Sequence, residues 1–201
     1  MEQSLWQKRL RKRSDMVTRV THLTRGETDD EAFDVLRKIL VEKKLIANNK
    51  NGFNVGGAEV CCFQEIPLLS IAENLRYEKD NGWEGMRYSP FGLRFLKVDL
   101  YRNGGRPVIY GDSEELKKIL DESDYWRIVK MDLSNRDRVV DWSHEREWRI
   151  NRDYSFEYSD TEIIVSSPLY YHKLIDWCIK SEHMDILQQV NGIVVLSSIY
   201  N

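Results

Sequence analysis

Apolar positions along the chain follow two periods. The run V-T-R-V-T-H-L-T over 17–24 is dense in β-branched residues and predicts a first strand, ended by Gly26. Over 29–46 the residues Ala32, Phe33, Val35, Leu36, Ile39, Leu40 and Leu45 recur at helical spacing behind an acidic start, which predicts a long helix with its dipole complemented. The polar, glycine-bearing stretch 48–57 reads as a loop, 60–63 as a short strand, and Pro67 as the opening of a helix running towards Tyr77. Past a loop holding Gly82 and Gly85, 91–100 reads as a strand, Gly104 and Gly105 as a turn, and 107–110 as a second strand, together a hairpin.

Asp112 or Ser113 suits the cap of a helix reaching Leu120, and 126–133 either continues that helix or forms a separate irregular element. The segments 145–151 and 162–166 read as strands, Pro168 opens a helix to about His183, and 192–197 is a last apolar strand. Short strands interspersed with helices, without the alternation of a doubly wound fold and without an internal repeat, predict an α+β fold. The expectation is a single domain over residues 1–201, with a mixed, largely antiparallel sheet, flanking helices and a basic N-terminal segment over 1–16.

Composition narrows the function classes. The chain has 201 residues, 41% hydrophobic and 31% charged, with 11 Gly and 4 Pro, so collagen-like and disordered classes are excluded. Thirty basic residues against 33 acidic give a net charge of −3, which argues against binding nucleic acid by bulk charge and leaves open a local cleft. The basic run Lys8, Arg9, Arg11, Lys12 and Arg13 offers one local patch for RNA or single-stranded DNA; its plainer reading is a solvated helix face. No apolar run approaches the length of a membrane span or a signal peptide, and Cys61, Cys62 and Cys178 are sparse and odd in number, so a cytoplasmic protein is expected. His22, His144, His172 and His183 are scattered and no ligand spacing links them to the cysteines, so no metal is expected.

Three segments carry candidate chemistry. In a strand over 145–151, Glu145, Glu147 and Arg149 share one face, and Trp148 and Ile150 point to the core from the other. Two carboxylates side by side can push one pKa up while the other stays ionised; the alternative is a solvent-facing edge where glutamates pair with arginines. On the first strand, His22 and Thr24 share a face and offer hydrogen-bonding groups to a ligand, or the histidine is structural. In the middle, Arg87, Tyr88, Ser89, Phe91 and Arg94, with Phe63 upstream, combine rings that stack a flat heterocycle with guanidinium forks for phosphate; core packing with surface arginines explains them equally.

Taken in order, V-T-H-L-T, V-C-C-F-Q-E-I-P-L, Y-S-P-F-G-L-R-F, R-P-V-I-Y and W-S-H-E-R-E-W-R-I resemble the AbiGi-type phage-resistance proteins and a related bacterial family with a C-F-x-E and E-x-E-W-R signature. More distantly the order is similar to DarT-type ADP-ribosyltransferases. The resemblance covers roughly residues 17–151. It implies an ADP-ribosyltransferase-like fold and an enzyme that transfers ADP-ribose from NAD to nucleic acid or protein, as a toxin effector of anti-phage defence with a possible antitoxin partner. By position, Glu147 resembles the catalytic glutamate and Glu145 the first acid of E-x-E. His22 and Thr24 resemble first-strand NAD contacts. Tyr88, Ser89 and Arg94 are looser matches, Tyr110 competes with Tyr88 for the nicotinamide, and Phe63 is a further stacking ring. Some AbiGi proteins are antitoxin components, so a non-catalytic antitoxin or sensor is the competing expectation; an NAD glycohydrolase, with water as acceptor, is the third.

Overall fold

The computed structural model describes residues 2–10, 12–49, 54–81 and 88–199. Arg11, Gly82, Gly85, Arg87 and residues 50–53 of the expected loop lie outside the described residues. In chain order the elements are α1 (Gln3–Leu10), β1 (Arg19–Leu23), α2 (Asp29–Glu42), β2 (Lys44–Leu45), β3 (Cys61–Gln64), α3 (Leu68–Asp80), β4 (Gly92–Leu96), α4 (Lys97–Arg102), β5 (Arg106–Pro107) and β6 (Ile109–Gly111). They continue with α5 (Ser113–Lys117), β7 (Ile128–Lys130), β8 (Glu147–Ile150), β9 (Tyr154–Ser155), β10 (Thr161–Val165), α6 (Pro168–Lys180), α7 (Met184–Gln189) and β11 (Gly192–Val195). The class is α+β, with mixed, mostly antiparallel strand pairing and flanking helices, as the pattern predicts.

The chain forms two compact units from interleaved segments: residues 1–44, 66–96 and 155–201, and residues 45–65 and 97–154. In the first, strands run in the order β11-β10-β4-β1, antiparallel except for β10 against β11. Register opposes Val20 to Phe95, Thr21 to Arg94 and His22 to Leu93, and then Leu93 to Ile163 and Arg94 to Glu162. One face carries Val20, Phe91, Leu93, Phe95 and Ile163, all at 1% exposure or less. It is covered where Phe91 meets Phe33 of α2 and Tyr170 of α6, with ring centroids 5.8 and 4.7 Å apart. The opposite face buries Leu23 and Ile164 against Ile71 and Ala72 of α3.

Local chemistry starts and stops these helices. Thr28 caps α2 by accepting the Glu31 N–H, and the Glu31 carboxylate accepts the Glu27 N–H at 2.9 Å, a reciprocal cap. The helix stops at Glu42, short of the expected 46, because Lys43 turns left-handed at φ 50° and the chain passes into β2.

In the second unit the order is β3-β8-β5, all antiparallel, beside a parallel pair β6-β7. Across both units several elements differ from the pattern-based expectation. The strand expected over 91–100 ends at Leu96 and gives way to α4, and no hairpin forms: β4 pairs with β1 and β10, and β5 pairs with β8. Leu100 is fully buried from α4, and a Cβ on Gly105 would lie 2.5 Å from its side chain, so the glycine closes the helix rather than a β-turn. Residues 126–133 split into the end of a 3-10 turn (Glu122–Arg127) and the strand β7. The helix from Pro168 ends at Lys180 and a separate helix, α7, follows.

Candidate active site

The strand expected over 145–151 begins only at Glu147. Ser143–Glu145 is a 3-10 turn, started by the Asp141 carboxylate accepting the Ser143 N–H, and Arg146 sits at φ 45°. That left-handed residue breaks the alternation, so Glu145 and Glu147 are not neighbours on one strand face; Glu145 is buried in the turn. Nor is β8 a solvent-facing edge. It lies between β3 and β5, and all four of its residues are buried.

Its apolar face carries Trp148 and Ile150, opposite Phe63 and Cys61 of β3. Its other face is polar and equally buried. Here Glu147 and Arg149, two residues apart, form a bidentate pair: Arg149 Nε donates to Glu147 Oε1 at 2.7 Å and Nη2 to Oε2 at 3.2 Å. The side chains are 5% exposed for Arg149 and 11% for Glu147. The remaining arm, Arg149 Nη1, donates to the carbonyls of Trp126 (2.9 Å) and Ile128 (3.3 Å) and to Asn54 Oδ1 (3.3 Å). Burial alone would lower the guanidinium pKa, but the Glu147 charge and hydrogen bonds outweigh it and hold Arg149 above its ordinary value.

Cys62 lies directly across from Arg149 on β3, and Gln64 across from Glu147. Burial first, then the Glu147 charge, pushes the Cys62 thiol well up, so it stays protonated and is no nucleophile. Tyr110 stands at the start of the strand, where its hydroxyl oxygen accepts the Glu147 backbone N–H at 2.9 Å. Burial pushes this phenol up to about 12, so it keeps its proton. On the apolar side, Glu65 accepts from Trp148 Nε1 at 2.6 Å and from Lys97 Nζ at 2.5 Å, which fixes the indole and thereby the strand.

The remaining expected contacts have these places. Phe63 is 1% exposed with its ring edge-on to Tyr154, centroids 5.7 Å apart, a packing role that leaves no face for stacking. Thr24, 2% exposed, donates its hydroxyl to the carbonyls of Ala32 and Phe91, tying the end of the first strand to α2. Ser89 is fully buried and its N–H donates to the Thr24 carbonyl. Tyr88 packs partly buried against the Leu23–Ile71 cluster, with the Arg25 guanidinium 5.1 Å from its ring centre. Register puts His22 and Arg94 on opposite faces of their sheet, since Thr21, not His22, opposes Arg94. Thus His22 and Thr24 belong to one face, Tyr88 and Arg94 to the other, all in the first unit, whereas Phe63, Tyr110, Glu145 and Glu147 belong to the second.

Arg149 is the partner that holds Glu147: alternation puts the two on one face and the pairing of glutamates with arginines is expected there, but on a solvent-facing edge rather than on the buried strand observed. Asn54, Trp126 and Ile128, which hold it, are distant in sequence and carry no local signal. Among the described residues no group of three His, Cys, Asp or Glu side chains is placed to hold a metal ion, and no helix is long and apolar enough to cross a membrane. Compared with known proteins, the chain matches no family model, no curated protein and no solved structure.

Proposed function

We propose that the chain is an NAD-dependent ADP-ribosyltransferase acting on a nucleic-acid or protein acceptor, a cytoplasmic toxin effector of anti-phage defence, with Glu147 as its catalytic carboxylate. The observation that carries this reading is the Glu147–Arg149 fork: a carboxylate on a central strand, locked in orientation and still 11% exposed. Breaking the bond between ribose and nicotinamide builds positive charge on the sugar, and a carboxylate anchored by Arg149 in a water-poor setting is placed to stabilise that charge. Glu145, one turn earlier, orients the acceptor. His22, Tyr88 and Arg94 belong to the first unit, with His22 and Arg94 on opposite faces of their sheet, and they take no part in this reading of the Glu147 cluster.

One observation favours a second reading, a non-catalytic antitoxin or sensor. The same Arg149 that holds Glu147 also ties down the Trp126 and Ile128 carbonyls, as a purely structural ion pair does. Incubation of purified protein with labelled NAD and cell extract separates the two. Transfer of label to a macromolecule, lost in Glu147→Gln, supports the transferase; free ADP-ribose without a labelled macromolecule identifies a glycohydrolase. No turnover of NAD, with Glu147→Gln retaining biological activity, overturns the enzyme reading and leaves the binding component.

A further inference from the structure

In the first unit, the sheet face that buries Leu23 and Ile164 under α3 changes character along the strands. Beyond that apolar half lie Arg19 and Thr21 of β1, Arg94 of β4 and Glu162 of β10, brought onto one face by the pairings Thr21 with Arg94 and Arg94 with Glu162. Arg19 Nε meets Glu162 Oε1 at 2.9 Å and Arg94 Nη1 meets Oε2 at 2.5 Å, while Arg19 Nη1 donates to the Asp160 carbonyl at 2.9 Å. Two guanidinium groups therefore share one carboxylate, and the group carries one surplus positive charge. Each arginine side chain is only 13% exposed and Glu162 21%, so water screens that surplus poorly.

Among the described residues, two buried polar atoms of the same face lack a partner: Arg94 Nε and Thr21 Oγ1, on residues directly opposite each other across the two strands. Thr21 is 1% exposed. A buried donor left unmade costs stability, and two of them beside an unbalanced charge share one remedy. An anion would accept from Arg94 Nε–H and Thr21 O–H and neutralise the surplus. The shape of the acceptor is also constrained. Glu162 already supplies the planar, two-oxygen bridge between the guanidinium groups, and donors on two neighbouring strands converge better on the oxygens of a tetrahedral ion.

We propose that Arg19, Thr21 and Arg94 form a phosphate-binding site on this face. It stands apart from the transferase reading, because none of its residues belongs to the Glu147 cluster. Burial presses the Arg94 guanidinium down from its ordinary value against the pull of Glu162, with the Arg19 charge adding to the pressure, so a dianionic ligand relieves a strain the folded chain carries.

The test follows the Arg94 Nε–H signal by NMR during titration with inorganic phosphate at constant ionic strength, with chloride as control and AMP as a second ligand. A saturable shift with phosphate and none with chloride is expected. Thr21→Val keeps the side-chain shape, removes only the hydroxyl, and weakens phosphate binding about tenfold, the value of one hydrogen bond to a charged acceptor. Tighter binding of AMP marks a nucleotide as the source of the phosphate and equal binding marks the free anion, each with the site intact. No saturable shift, the same shift with chloride, or a folded Thr21→Val that binds phosphate as the parent does overturns the site. Labelled-NAD turnover, measured in parallel, is unaffected by either outcome and tests the Glu147 reading alone.

Discussion

Removing Arg149 while keeping Glu147 exposes what the buried fork contributes. In Arg149→Met the carboxylate loses two charge-assisted hydrogen bonds at 2.7 and 3.2 Å and stays on a central strand with 11% of its side chain in water. The Trp126 and Ile128 carbonyls lose their donor in the same step. Breaking one side of a buried pair costs about 3–5 kcal/mol, a large share of the ~5–15 kcal/mol that holds an ordinary domain together. Glu147→Gln is milder, because the amide oxygen still accepts from Arg149 and the other arm keeps its carbonyls; the cost is about 1–3 kcal/mol. In the double variant no buried carboxylate is stranded, so its cost falls short of the summed single costs by about 2 kcal/mol. Urea unfolding of the four proteins, followed by fluorescence of the chain's 6 tryptophans, measures this cycle. Single costs that add to within about 0.5 kcal/mol, or an Arg149→Met cost below about 1 kcal/mol as for exposed pairs, refute a buried, coupled fork.

Thr24→Val removes the hydroxyl that links Ala32 and Phe91 and lowers stability by about 1 kcal/mol; an unchanged melting temperature contradicts the structural role described for it. Phe63→Ala empties a fully buried ring site and costs about 3–5 kcal/mol in denaturant midpoint analysis, whereas a ring that serves only as a stacking surface costs far less. Burial pushes the thiols of Cys61 and Cys178 up from an ordinary value near 9, to about 12 and about 11, so the folded chain keeps protons that the unfolded chain releases. Stability is then complete below about pH 9 and is lost as pH rises towards these folded values, and a Cys61→Ala, Cys178→Ala variant shows a flatter loss in urea midpoints across that window. Arg149→Lys retains a positive charge but not the fork, and under the proposed transferase reading it lowers kcat of ADP-ribose transfer with little change in KM; equal kcat shows that Arg149 does not position Glu147.

What the chain reveals locally and what it hides divide along physical lines. The first strand and α2 are legible because β-branched density and a 3.6-residue apolar period, backed by the Thr28 cap, point the same way. The helix α4 is hidden because Val98 and Leu100 alternate as well in a strand as in a short helix, and only the packing of Leu100 against Gly105 decides. The E-x-E pair misleads for a similar reason. A left-handed backbone is signalled in sequence by glycine or asparagine, and Arg146 takes φ 45° without either, so the break before Glu147 leaves no trace. Opposition of Thr21 and Arg94, separated by 73 positions in numbering, 94 − 21, belongs to register, which local patterns do not fix.

The fork itself poses the sharpest question about chemistry at Glu147. A carboxylate bound bidentately to a guanidinium presents a dipole, not a full negative charge, to anything beyond the pair. At an effective dielectric near 20, a unit charge 4 Å away is worth about 4 kcal/mol, and most of that is cancelled while both forks hold. Stabilising a ribosyl cation therefore requires that one carboxylate oxygen turn out of the pair as the positive charge grows. The two contacts differ in the required sense: Oε1 is held at 2.7 Å and Oε2 at 3.2 Å. Under the proposed transferase reading the looser oxygen is the one to face the ribose, and on its release Nε keeps Oε1 and Nη1 keeps two carbonyls. A structural ion pair accommodates the same asymmetry; under the proposed transferase reading it leaves the carboxylate anchored at one end and available at the other.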